Sequence, residues 1–148
     1  MEKDVIISIK GVQRYENADP DTMELVTAGR LEREGNSYTL SYQESELTGL
    51  EGTLTTFQIE PERITLMRVG EFNSQMVFQE GRRHMSMYNT PYGAMTIGVN
   101  TRHLLAELDD QGGEIEIDYA IEIDHSVAGR NTFQINVKEA EGTAGLQI

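Results

Sequence analysis

Glu44 and Arg68 are the residues of this chain whose types could do chemistry together. A carboxylate can move a proton, and a guanidinium can hold a carboxylate or phosphate oxygen with two parallel hydrogen bonds. Hairpin arithmetic, set out below, projects both from the core-facing side of a sheet, with Thr27 and Thr55 beside them. Burying an unpaired charge costs several kcal/mol, on the order of a domain's whole net stability. Each charge therefore sits near an open rim, or the two pair, or a cavity with water or ligand surrounds them. An internal ion pair that fixes register and a polar anchor at the base of a ligand cavity both satisfy that constraint.

The other reactive types lack productive spacing. His84, His103 and His125 have no metal-ligand spacing, so no metal is expected. Asp124-His125-Ser126 matches a triad in composition only. In a strand His125 points away from both neighbours, and it reads as a core histidine. Glu114/Glu116 and Asp118/Glu122 fall on a solvated face and lack the apolar pocket that raises an acid's pKa. Gly49-Leu50-Glu51-Gly52 lacks the lysine and glycine spacing of a phosphate loop. There is no cysteine, which removes thiolate chemistry and sulfur ligands. No cofactor is expected, and catalysis is poorly supported. There are seven methionines, and Met67, Met76, Met85, Met87 and Met95 all fall in predicted strands. Methionine fills irregular gaps and lines adaptable binding surfaces. Tyr38, Tyr42, Tyr88, Tyr92 and Tyr119 carry hydroxyls that need partners if buried.

The elements that must position these groups are strands. Ile115, Ile117, Tyr119, Ile121, Ile123, His125 and Val127 alternate with Glu114, Glu116, Asp118, Ala120, Glu122 and Asp124, the pattern of a half-buried strand. That pattern recurs about ten times between residues 4 and 139, with 113–127 read as one strand and 131–139 as the last. The single helical candidate is Thr101–Leu108, which alternatively continues the preceding strand. Gly35-Asn36 predicts a hairpin that pairs Leu31 with Leu40, Gly29 with Tyr42 and Thr27 with Glu44. Pro61-Glu62 predicts one that pairs Ile59 with Ile64, Phe57 with Leu66 and Thr55 with Arg68. Glu80-Gly81 as a two-residue turn pairs Met76 with Met85 and Phe78 with Arg83. The face of Met76, Phe78, Met85 and Met87 joins the same core only if the Gly70–Asn73 connection is odd-numbered or bulged.

The chain has 148 residues, enough for one domain with a real core, read as 1–148 with a core of about 4–139 and a loose tail at 141–148. Its net charge of −13 repels phosphate backbones and anionic headgroups, so neither nucleic acid nor a membrane surface is an expected partner. No apolar run suits a signal peptide or membrane helix, and the missing cysteines fit a reducing compartment. A soluble cytoplasmic protein is the expectation.

The succession Ser41-Tyr42-Gln43-Glu44, Thr48-Gly49-Leu50-Glu51-Gly52-Thr53-Leu54-Thr55-Thr56, Leu66-Met67-Arg68-Val69-Gly70, Tyr88-Asn89-Thr90-Pro91-Tyr92-Gly93 and Gly113-Glu114-Ile115-Glu116-Ile117-Asp118-Tyr119 resembles the YwiB-like family of small uncharacterised bacterial proteins. The resemblance covers nearly the whole chain. It implies an all-β fold, a single closed antiparallel up-and-down barrel similar to the calycins, which include the lipocalins. It implies no activity and supplies no catalytic residues, but it puts Glu44, Arg68, Tyr88 and Tyr119 at family-like positions. The lipocalin Gly-x-Trp motif is absent, since there is no tryptophan. A barrel of this size can hold one small apolar or amphipathic ligand. The expected lining is Thr55, Met76, Phe78, Met85, Tyr88, Met95 and Tyr119, with Glu44 and Arg68 as polar anchors. The alternatives are an acidic module that docks a basic protein partner and, more weakly, an enzyme that uses Glu44 and Arg68.

Overall fold

The computed structural model describes residues 2–15, 18–70, 73–90, 93–123 and 126–140, without the side chains of 87–90. His125, Tyr92, the tail from 141, and the side chains of Met87 and Tyr88 lie outside the described residues. Ten strands follow in order: β1 (Glu2–Arg14), β2 (Asp21–Glu34), β3 (Ser37–Gln43), β4 (Thr53–Glu60), β5 (Arg63–Gly70), β6 (Ser74–Phe78), β7 (Arg83–Thr90), β8 (Gly93–Asp109), β9 (Gly112–Ile123) and β10 (Ser126–Glu139). Each pairs antiparallel with its sequence neighbour, and β1 also pairs with β10, which closes the sheet into a barrel. No helix among the described residues is long and apolar enough to cross a membrane.

Alternation builds the interior row by row. Ile9 pairs with Leu25 on one side and Ile135 on the other, and Ile135 pairs with Ile115. All four are buried. On the opposite wall Leu40, Phe57, Leu66 and Met76 form a second row through successive ladders. Each fully buried side chain of this kind contributes roughly 1.5–3 kcal/mol. Phe78 lies 4.7 Å from Tyr119, and Tyr119 lies 5.9 Å from Phe133, so an aromatic line links β6, β9 and β10 through the interior.

Two expected hairpins occur in the expected register. Leu31 faces Leu40 and Glu34 faces Ser37, though the β2–β3 ladder stops at Arg30–Ser41 before reaching Thr27 and Glu44. Ile59 faces Ile64, Phe57 faces Leu66 and Thr55 faces Arg68. The β5–β6 connection is odd-numbered, because Arg68 pairs with Ser74 across residues 69–73. Met76 and Phe78 therefore do face inward.

The third hairpin differs by one residue. Ser74 pairs with Tyr88, a register that sets Met76 against Ser86 rather than Met85. The reason lies in β8. Thr101 donates its N–H to the Arg82 carbonyl at 3.2 Å and accepts from the Gly81 N–H at 2.9 Å. The Arg82 N–H still closes the 79–82 turn on the Gln79 carbonyl at 3.0 Å, but its carbonyl is held by β8, so Arg82 becomes an extra residue between the turn and the ladder. A one-residue slip exchanges the faces of a strand. Ser86 is accordingly buried, and Met85 lies outside at 62% exposure, which corrects the expectation that it lines the interior.

Two further segments resolve differently from a simple reading of alternation. Thr101–Leu108 is strand, with a bulge between Thr101 and His103. Val99 and Thr101 face inward before the bulge, whereas Leu104 and Leu108 pack on the core after it. The extra residue changes the inward phase from odd to even, which imitates helical spacing in sequence. The expected 113–127 strand ends at Ile123, and Val127 pairs back on Glu122, exposed. Asp124 and Ser126 are turn-forming types, but the unbroken alternation of Ile121, Ile123, His125 and Val127 masks that signal in the sequence.

Gly29 marks a tight approach between strands. A Cβ there would meet the Ile7 side chain and the Ser41 carbonyl oxygen, the latter at 2.6 Å. Gly29→Ala should destabilise the chain by about 1–3 kcal/mol through overpacking, read as a lowered denaturant midpoint with an unchanged strand signature in circular dichroism.

Candidate functional site

A single register row crosses six strands at one mouth of the barrel. Tyr42 pairs with Thr55, Thr55 with Arg68, Arg68 with Ser74, Ser74 with Tyr88, and Tyr88 with Met95. Of the expected site residues, Thr55, Arg68, Tyr88 and Met95 share this row. Met76 lies in the apolar row beneath, paired with Leu66. Phe78 and Tyr119 meet in a tilted ring contact one row further in. Met85 is on the outer wall and does not join them.

Glu44 reaches the row from just beyond β3. Its N–H donates to the Thr53 carbonyl at 2.9 Å, which extends the β3–β4 ladder by one rung. The segment 45–52 then folds back through short turns, with the Thr48 N–H on the Ser45 carbonyl and the Gly49 N–H on the Glu46 carbonyl, each at 3.2 Å. Gly70 makes this return possible. It sits at φ 137°, and any Cβ there would collide with the Gly52 carbonyl.

The carboxylate of Glu44 is 1% exposed and held by hydroxyls. Thr55 Oγ1 donates to its Oε2 at 2.5 Å, and Thr48 Oγ1 donates to its Oε1 at 2.9 Å. Arg68 Nε stands 3.9 Å from Oε2, close enough for an ion pair and too far for a hydrogen bond. Among the described residues that Nε is buried with no hydrogen-bond partner, while the guanidinium side chain remains 19% exposed. Burial pushes the Tyr42 phenol well above its ordinary value, Glu44 adds to the shift, and Arg68 opposes it. The mouth thus holds a carboxylate satisfied by alcohols beside a guanidinium with an unused buried donor.

Tyr42, Thr48 and Ser74 belong to this arrangement and were not singled out as site residues from sequence. Tyr42 reads as one more apolar position, and Ser74 acquires its place only from the β5–β6 register. Thr48 had a faint signal, a hydroxyl four residues after an inward carboxylate. Among the described residues, no group of three or more His, Asp or Glu side chains could hold a metal ion. His103 lies outside the mouth, 3.2 Å from Glu80 and 3.8 Å from Glu116.

The family model described as Domain of unknown function (DUF1934) matches residues 7–135. The chain belongs to this family. The match embraces Glu44, Thr55, Arg68 and every strand that carries the polar row. This DUF1934 chain is also similar to the ywiB protein from Bacillus subtilis, seen in a crystal structure. The TM-score is 0.82 at 20% identity, over 94% of this chain and 93% of that one. At that identity the likeness establishes a shared fold, the YwiB-like barrel that the sequence motifs resembled. No curated protein matches the DUF1934 chain.

The geometry sets two expectations. Arg68→Met leaves Glu44 charged and buried but still bonded to two hydroxyls, so it should cost about 2 kcal/mol, below the range for breaking a tight buried pair. Adding Glu44→Gln should recover much of that loss in a denaturant melt. Tyr42 contributes to the alkaline limb of stability. Its folded pKa is raised, so its contribution is complete below the ordinary value of 10.0 and drains as pH rises beyond it. The stability–pH curve of Tyr42→Phe should be flatter above that pH, and an unchanged slope would contradict the assignment.

Proposed function

We propose that the barrel binds one small amphipathic molecule at this mouth, with an oxyanion on Arg68 and an apolar part against the inner face around Met76 and Met95. The carrying observation is the buried Arg68 Nε, which has no acceptor among the described residues, next to a Glu44 already occupied by Thr48 and Thr55. A ligand carboxylate supplies the missing acceptor through a charge-assisted hydrogen bond. The engagement of Glu44 by two hydroxyls disfavours a general-base role and supports binding without chemistry. Met95 is 40% exposed although it shares the row, and it gives the apolar part a surface to cover. With a net charge of −13 the protein repels anions at long range, so affinity must come from contact and should rise with added salt.

A second reading, docking of a basic protein partner, is favoured by the outer wall. A groove of about 350 Å³ there runs across β2, β1, β10 and β9, and its charged lining is Glu24, Glu114 and Glu116 with one cation, Lys10. Binding through these carboxylates should weaken as salt rises, the opposite of the response expected at the mouth.

Titrating octanoate and octanol against the protein tests the first reading. The acid should bind more tightly than the alcohol, and Arg68→Met should lower its affinity about tenfold or more, the worth of a hydrogen bond to a charged group. Equal affinity for acid and alcohol, or no binding of either, would overturn it.

A further inference from the structure

We infer that the free edge of β8 docks a second copy of this chain, in an antiparallel strand pair centred on Ala106. This rests on the far end of β8 and is independent of the mouth. The β7–β8 ladder ends at Arg83–Asn100, followed by the hydrogen bonds between Thr101 and the 79–82 turn. Beyond Thr101, β8 continues for eight more residues, to Asp109, paired to β9 alone among the described strands. Leu104 turns its N–H to the unpaired side, where Glu80 Oε1 accepts it at 2.9 Å. Peptide groups alternate sides along a strand, so Ala106 and Leu108 present theirs there too. This is an open row of donors and acceptors, a template for another strand.

The edge is complementary to itself about one register. When Ala106 faces Ala106 of a second copy, each Ala106 N–H donates to the other's carbonyl. Each Leu108 N–H then donates to the opposite Leu104 carbonyl, while the Leu104 N–H stays on Glu80. Leu104 falls opposite Leu108, so the inner apolar face runs on across the seam. On the outer face His103 falls opposite Asp109 and Leu105 opposite Glu107. Moving the axis to residue 107 would oppose Glu107 with itself, which like charge disfavours. Moving it to residue 105 would run Asp109 onto Thr101, whose peptide groups the 79–82 turn already uses. The interface is isologous and closes as a two-fold dimer.

Sedimentation velocity across a concentration series should show a reversible monomer–dimer equilibrium. Ala106→Pro removes the central donor on the free side and should abolish the dimer. The chain has no cysteine, so single substitutions report register cleanly. Under mild oxidation Ala106→Cys should cross-link two copies. Glu107→Cys should not, because the offset puts its two copies beyond the disulfide limit of about 7 Å between Cα atoms. The cysteine pair decides the matter even where the proline variant fails to fold. A wild-type monomer at every concentration, a dimer indifferent to Ala106→Pro, or equal cross-linking of the two cysteine variants would overturn the assignment. So would strong hydrogen-exchange protection of Ala106 and Leu108 in the monomer, which would mean that the chain covers the edge itself.

Discussion

A strand turns successive side chains to opposite faces, so in a closed barrel the register of each ladder decides which residues are inside. Everything else in this molecule hangs from that parity. Ten ladders must agree around the ring, because β1 answers to both β2 and β10. The apolar rows through Ile9 and Leu66 exist because consecutive ladders keep the same phase. Where the phase must change, the chain uses an extra residue. The bulge at Thr101–His103 and the extra residue Arg82 after the Glu80-Gly81 turn are two such adjustments, and they meet at the same place on β8.

That meeting point has consequences on both sides of the wall. Capturing Arg82 on β8 turns Ser86 inward and Met85 outward. Met85 then lies over Gly98 and Glu122, where Arg83 forms an ion pair with the glutamate at 2.5 Å. With Ser86 inside and Met85 outside, the interior on this side is more polar than the expected face of Met76, Phe78, Met85 and Met87 would have made it. Beyond the same point β8 leaves β7 behind and carries its free edge toward the far end. There the β2–β3 and β8–β9 hairpins are joined by Arg33, which donates to Asp110 at 2.9 and 3.0 Å. The Arg33 guanidinium beside it holds the Asp110 carboxyl below its ordinary range.

The polar mouth follows the same geometry with different energetics. A buried carboxylate next to a guanidinium is ordinarily stabilised by direct bidentate pairing. Here two threonine hydroxyls do that work for Glu44, and the arginine is left at ion-pair distance. Such a division costs stability, since among the described residues a buried donor goes without an acceptor. Native interiors rarely retain that cost without a compensating partner, which is what directs attention to Arg68 rather than to the better satisfied Glu44.

The sequence by itself determined the strand class, the Gly35-Asn36 and Pro61-Glu62 hairpins, and the inward direction of Glu44, Thr55 and Arg68. Those conclusions needed only side-chain alternation and turns whose residues dictate their length, both local properties. The length of the turn at 80–82, the end of β9 at Ile123 and the bulge in β8 were decided by tertiary structure. The turn at 80–82 depends on hydrogen bonds with Thr101 on β8, and the end of β9 and the bulge in β8 break an alternation that the sequence continues without interruption. Thr101 holding Arg82 is the clearest case, because it adds one residue to the Glu80-Gly81 turn and exchanges the faces of β7. The separation of Arg68 from Glu44 was likewise settled in three dimensions. Register could put them on one face, but only the path of residues 45–52 over Gly70 brings Thr48 to the carboxylate and leaves the guanidinium at a distance.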